Sequence, residues 1–155
     1  MTGNRTRYVV DASVVVKLVV EEPLSDRVDA LFDLLARDEN TRLFVPDLLY
    51  TECANILWKY TNRFGMTANQ ARANLKRLNS LALDVFPTRP RLAGALRLAS
   101  RFDISVYDAC YVDLSKELKI PLLTADMKLV RKLEKSRTRI KPLDRLEIPS
   151  LNSSE

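Results

Sequence analysis

Four acids in this 155-residue chain, Asp11, Glu52, Asp108 and Asp126, stand at positions from which a carboxylate can act on a ligand. Asp11 closes the apolar run Tyr8-Val9-Val10, and Asp126 lies just beyond Pro121-Leu122-Leu123-Thr124. β-branched and aromatic residues favour strand, and runs apolar on both faces suit buried parallel strands. Glu52 falls in the first turn of the helix after a second strand, and Asp108 in the first turn of the helix before the strand ending at Thr124. In an open parallel sheet, ligands bind at the carboxyl ends of the strands, where the strand order reverses. If the first and fourth strands are neighbours there, all four side chains converge. Taken singly, each acid has an ordinary role at a helix N-terminus or cap.

Absences narrow the chemistry further. The chain has no histidine, which excludes Ser-His-Asp and Cys-His catalysis, a histidine general base and His-ligated zinc. Its three glycines, Gly3, Gly65 and Gly94, cannot assemble a dinucleotide fingerprint or a phosphate-cradling loop. Catalysis therefore rests on carboxylates, hydroxyls, Lys and Arg, or a metal ion. Four clustered carboxylates need a counter-charge, since two of them ~5 Å apart repel by roughly 3 kcal/mol at an effective dielectric near 20. Oxygen ligands without His or Cys select Mg²⁺ or Mn²⁺, ions that activate water and stabilise the oxyanions of phosphodiester displacement. A net charge of +5 and a pI ≈ 9.4 favour a polyanionic partner, and together with an acidic pocket point to a nuclease.

The elements that must position these acids follow from periodicity. After Asp11, residues 12–20 are ambiguous between strand and short helix, until Pro23 breaks the run. Ser25 is expected to cap a helix with Val28, Leu31, Phe32 and Leu35 on one face. Leu43-Phe44-Val45 reads as the second strand, and 48–62 as a long helix with Leu49, Cys53, Ile56, Leu57 and Tyr60 inward, stopped by Gly65. Thr67 to Gln70 matches a capping box before a helix facing Ala71, Leu75 and Leu78 inward. The third strand is 83–86, and a helix starting at Pro90 and Arg91 runs through Leu92, Ala95, Leu96 and Ala99. A helix over 106–118 has Tyr107, Cys110, Tyr111, Leu114 and Leu118 in phase. Met127 begins another that runs to 135, and 140–143 forms an edge strand marked by Pro142. Strands alternating with helices mean an α/β sandwich around a parallel sheet. The length fits one domain, taken as 1–148, with a polar tail over 149–155.

Hydroxyls and amides stand beside the acids. Ser13 and Thr124 lie two residues from Asp11 and Asp126 and can orient a carboxylate or a metal-bound water; equally, Ser13 can cap the first helix and Thr124 be a plain strand residue. Asn55, one turn beyond Glu52, can bond its carboxylate or face solvent. Lys128, Arg131 and Lys132 lead a basic run continuing through Lys135, Arg137, Arg139, Lys141 and Arg145, which suits RNA phosphates because it follows Asp126. A second scatter of cations includes Arg72, Arg77, Arg91, Arg97 and Arg101. Trp58, Tyr60 and Phe64 suit the core or a dimer interface, Asp103 and Asp113 read as surface charges, and Cys53 and Cys110 as buried reduced thiols. No run approaches the ~20 apolar residues of a membrane span, and residues 1–7 lack a signal peptide's apolar core, so a cytoplasmic protein is expected.

At these residues the chain resembles the PIN domain family, and within it the VapC-type toxin ribonucleases. The matching pieces are Val9-Val10-Asp11-Ala12-Ser13, Pro46-Asp47-Leu48-Leu49-Tyr50-Thr51-Glu52-Cys53-Ala54-Asn55, Val106-Tyr107-Asp108-Ala109 and Leu122-Leu123-Thr124-Ala125-Asp126, in the family's order. The resemblance implies a three-layer α/β/α sandwich on a five-stranded parallel sheet of order 3-2-1-4-5, with Asp11, Glu52, Asp108 and Asp126 as catalytic metal ligands. It further implies a Mg²⁺- or Mn²⁺-dependent endoribonuclease, homodimeric and silenced by a VapB-like antitoxin; Val15, Val19 and Leu24 are candidate anchors for that partner. The alternatives are a stand-alone PIN nuclease in RNA processing and a non-catalytic RNA-binding or scaffold module. A receiver domain fits poorly, because Ala12 follows Asp11 where an acidic pair is needed and the third strand ends in Phe86-Pro87.

Overall fold

The computed structural model describes residues 5–149. All but the first residue of the expected tail thus lies outside the described residues. Five strands, β1 (Arg7–Val10), β2 (Arg42–Pro46), β3 (Asp84–Phe86), β4 (Leu122–Thr124) and β5 (Ile140–Pro142), form one parallel sheet of order β3-β2-β1-β4-β5. The order expected from the resemblance is the order found. It reverses between β1 and β4, where Val9 pairs with Leu122 and Val10 with Leu123. The ends of these two strands, Asp11 and Thr124, are therefore neighbours at the carboxyl edge.

The helices are α1 (Ala12–Val15), α2 (Ser25–Arg37), α3 (Leu48–Arg63), α4 (Ala68–Asn79), α5 (Leu92–Phe102), α6 (Val106–Leu118) and α7 (Met127–Leu133). They cover both faces of the sheet as an α/β/α sandwich. Val9, Val10, Leu43, Val45, Leu122 and Leu123 are wholly buried, which is why these runs carry no polar alternation. Pro142 lies in edge strand β5, where a missing N–H costs least.

Several local expectations change. The ambiguous stretch after Asp11 is α1 followed by a 3-10 turn over Val16–Leu18, since Asp11 accepts from Val14 N and caps the helix. Ser25 is the first residue of α2 rather than its cap. Its hydroxyl donates to Val20 O and accepts from Glu22 N, tying down the preceding turn, while Leu24 ahead of it takes a left-handed φ of 71°. The segment from Pro90 starts as a 3-10 turn over Arg89–Arg91, and α5 follows. Thr67 and Gln70 form the reciprocal capping box as read.

The inward faces are also redistributed. Tyr107 is 60% exposed, and so largely are Leu92 and Leu96, because α5 and α6 pack closely through Ala95, Ala109 and Cys110 instead. Trp58 and Phe64 face solvent, whereas Val15 is a core residue and is not available as an anchor for a partner. Asp113 is no plain surface charge, since it pairs with the buried Arg91, which also meets Glu117 and lies over the Phe86 ring. Cys53 and Cys110 are buried and free, as expected.

Leu122 fills the switch point from β4 and is wholly buried. Leu122→Ala is expected to lower stability by about 2–5 kcal/mol, read as a reduced urea midpoint at unchanged slope.

Candidate active site

Asp11 is the most buried of the four acids, 5% exposed at the end of the central strand. Ser13 Oγ donates to its Oδ1 and Thr124 Oγ1 to its Oδ2, each at 2.5 Å, and Val14 N donates to Oδ1 at 3.3 Å. Ser13 therefore does not cap α1; Asp11 does, and Ser13 orients Asp11. Ser13 Oγ also accepts from Ala125 N, which ties the start of α1 to the end of β4. A carboxylate has about four acceptor positions, so these three donors leave about one open. Burial raises the Asp11 pKa to about 7, the Ser13 and Thr124 hydroxyls pull it back, and the neighbouring Asp108 raises it.

Glu52 comes from α3, whose start is pinned by Thr88. The Thr88 hydroxyl accepts from Leu48 N and donates to Asp47 Oδ1. Asn55 is exposed and makes no hydrogen bond to Glu52 among the described residues, so of its two readings the solvent-facing one holds and it is not the partner of that carboxylate. The donor is Tyr111 on α6, fully buried, with its hydroxyl 2.6 Å from Glu52 Oε1. Periodicity marks Tyr111 only as an inward residue; a buried Tyr needs an acceptor, and that requirement was the available signal. Burial raises the Glu52 pKa, Tyr111 opposes the rise and Asp108 adds to it.

Asp108 sits in the first turn of α6, which Ser105 caps through the Asp108 N–H. Its pKa is raised by burial and then by Asp126, with Ser105 and Lys132 opposing. Asp126 caps α7, its Oδ1 accepting from Lys128 N and Leu129 N, and its own N–H donates to Thr124 Oγ1. The helix-capping role and nearness to the other acids thus coexist in one residue. Asp108 is the hub of the group, electrostatically in touch with Asp11, Glu52 and Asp126.

Among the described residues, no group of three or more His, Cys, Asp or Glu side chains is arranged as a ready cage for a metal ion. The donor chemistry nonetheless fits a hard divalent cation: oxygen only, with Asp108 raising the Asp11 and Glu52 pKa values and Asp126 raising that of Asp108. Mg²⁺ commonly keeps several waters and uses one or two protein carboxylates, so it does not require a closed cage.

Of the three cations expected beside the acids, Lys128 and Arg131 are exposed on α7. Lys132 is half-buried and its ammonium reaches the carbonyl and carboxylate of Asp103. The wider basic groups do not form single faces. Arg91 is buried against acids and Arg77 donates to Leu18 O, while Arg137 and Arg139 precede β5 at the opposite edge of the sheet.

Fold and acids together define a class: doubly wound parallel α/β domains with a carboxylate-lined switch point. Comparison with known proteins narrows it. The PIN domain family model matches residues 8–135. Ribonuclease VapC3 of Pyrobaculum aerophilum is 34% identical over 128 residues, covering 81% of this chain and 94% of that protein. Ribonuclease VapC1 of Mycobacterium tuberculosis is 36% identical over 84 residues, 54% of this chain and 62% of its own. Among solved structures, PAE2754 of Pyrobaculum aerophilum superposes with a TM-score of 0.64 at 26% identity, over 88% of this chain and 83% of that one. VapBC2 of Rickettsia felis, bound to a DNA fragment from their promoter, superposes at 0.65 and 14% identity over 88% and 98%, a likeness of fold. The chain belongs to the PIN domain family. Among the described residues no helix is long and apolar enough to cross a membrane.

A pH response follows from Asp11. Its pKa rises from 3.8 unfolded to about 7 folded, so between those values the folded protein keeps a proton the unfolded chain has released. Metal-free stability therefore falls as pH rises across that window, by about 4 kcal/mol at most. Asp11→Asn removes the titration. In EDTA its melting temperature should gain on the wild type's between pH 4 and pH 8; a constant difference would contradict the burial of an ionisable Asp11.

Proposed function

We propose that this chain is a divalent-metal-dependent endoribonuclease and the toxin of a toxin–antitoxin pair, formed by one domain over 1–148. What supports this reading is the electrostatic coupling of Asp11 and Glu52 to Asp108, and of Asp108 to Asp126, beside the switch point of a PIN sheet. Relatives named as VapC ribonucleases support the substrate class. Solved VapBC and toxin–antitoxin complexes of the same fold support a VapB-like partner. RNA as substrate agrees with a cytoplasmic location, and the exposed Trp58 beside Leu57, Ala71 and Leu75 with a homodimer.

Asp11, Glu52, Asp108 and Asp126 would hold Mg²⁺ or Mn²⁺, which supplies an activated water and charge stabilisation for phosphodiester hydrolysis. The residues around them do separate work. Ser13 and Thr124 fix both oxygens of Asp11, and Tyr111 fixes Glu52. Such outer partners hold ligands in the deprotonated, oriented form. Lys128, Arg131 and Lys132 on α7 lie beside Asp126 and would meet the phosphates flanking the cut, with Lys132 steadied by Asp103. An antitoxin side chain such as Arg could neutralise the same acids through bidentate bonds, excluding metal and RNA together.

The decisive assay is cleavage of RNA by purified protein with Mg²⁺, with Mn²⁺ and with EDTA. Asp11→Asn should abolish cleavage while remaining folded; wild-type rates from it would refute the assignment. Tyr111→Phe should lower cleavage about 10–100-fold, with partial recovery at high Mg²⁺. Expression of the wild type alone should arrest growth, and co-expression of the small protein encoded beside it should restore growth.

A further inference from the structure

The basic run that follows Asp126 is divided by the fold, and its second part enters a hollow that the proposed cleavage site does not use. A cavity of about 170 Å³ lies at the amino edge of the sheet, lined by Lys116 and Lys119 from the end of α6 and by Arg137, Thr138 and Arg139 before β5. No acid lines it. Among the described residues, none of these four cations has a salt-bridge partner. Thr138 Oγ1 is out of water without a hydrogen-bond partner, a capacity the fold does not use.

Two local explanations fall short of this charge. A helix C-terminus carries roughly half a negative charge, and at the end of α6 the Ser115 carbonyl is already engaged by Lys119 N and Ile120 N. Two lysines more than offset such a terminus, and two arginines remain. Lys119 also adopts a left-handed φ of 57° at the helix end, a place where glycine is the unstrained choice. All four are exposed, and a multivalent anion in the hollow would meet all of them at once. Arginine forks beside lysine ammoniums suit the tetrahedral oxygens of a phosphate group.

We propose that Lys116, Lys119, Arg137 and Arg139 form an exosite for the phosphate backbone of a long RNA, at the edge opposite the acids. The axis of α6 links the two sites, with Asp108 in its first turn and the cavity at its last, about 15 Å apart along the helix. A strand held there and at the acids is positioned for cleavage, whereas a single nucleotide cannot reach both sites. The identity of the polyanion rests on the ribonuclease reading; the cavity's affinity for phosphate does not.

The test is binding by full-length protein in EDTA, where nothing is cut, comparing wild type with Lys119→Gln/Arg139→Gln. The probes are a 30-nucleotide RNA of mixed sequence, inorganic phosphate and polyglutamate. The variant's Kd for the 30-mer should rise at least about tenfold, and its log–log salt slope should become shallower by about 1.4, two contacts at about 0.7 each. Lys119→Arg/Arg139→Lys should restore binding, and inorganic phosphate should move the amide resonances of Lys119 and Thr138 in the wild type. Unchanged RNA affinity in a folded variant overturns the exosite and leaves the nuclease reading standing. Loss of binding in the variant, from a wild type that cleaves no RNA, upholds the exosite and overturns the nuclease reading. Phosphate binding without an effect on RNA, or competition by polyglutamate equal to RNA at equal charge, overturns the assignment of the RNA backbone as ligand.

Discussion

The burial of an ionisable carboxyl at the end of the central strand is the constraint around which the molecule is arranged. Asp11 is enclosed because β1 lies in the middle of the sheet, between β2 and β4, with helices on both faces. That position withholds water from it, so its charge depends on what the protein supplies. Two hydroxyls and one backbone N–H are supplied, each from a neighbouring segment: Ser13, Thr124 and Val14. They lower the cost of the charge without cancelling it, and Asp108 increases it again. The same bonds stitch α1 to β4, so the local geometry of the edge and the state of its carboxyl are set together.

Much of this was legible from residue types. Buried parallel strands announced themselves as unbroken apolar runs, and the acids stood at their ends. Strand order did not follow from periodicity, which is blind to which strands pair; it came from the family resemblance, and the Val9–Leu122 register bears it out. The partners of the acids were legible only in part. Ser13 is two residues from Asp11, whereas Thr124 reaches Asp11 across 113 positions and Tyr111 reaches Glu52 across 59. Asn55, one turn from Glu52 on the same helix, is open in the sequence between bonding that carboxylate and facing solvent, and the helix turns it to solvent. Helical phase likewise placed Tyr107 inward, and the close α5–α6 packing through small residues leaves it out.

Charge shows the same limit more sharply. The cations after Asp126 form one run in the chain and two groups in space, because α7 and the turn into β5 carry the backbone from one edge of the sheet to the other. Arg91 illustrates the reverse case, a cation expected at a surface and instead buried against Asp113 and Glu117. Such pairing is decided by tertiary packing, and local composition carries little trace of it.

The two thiols lead elsewhere. Cys53 follows Glu52 on α3 and Cys110 lies two residues after Asp108 on α6; both are buried. Burial, then Glu52 and Asp11, raises the Cys53 thiol to about 12, so in the closed protein almost none of it is thiolate. An alkylating reagent or peroxide can reach it only when the packing around α3 opens. The rate of thiol modification therefore becomes a clock for the opening of the very edge the acids occupy. A ligand that bridges those acids would slow that clock, whether metal or partner, with no need to see the ligand itself.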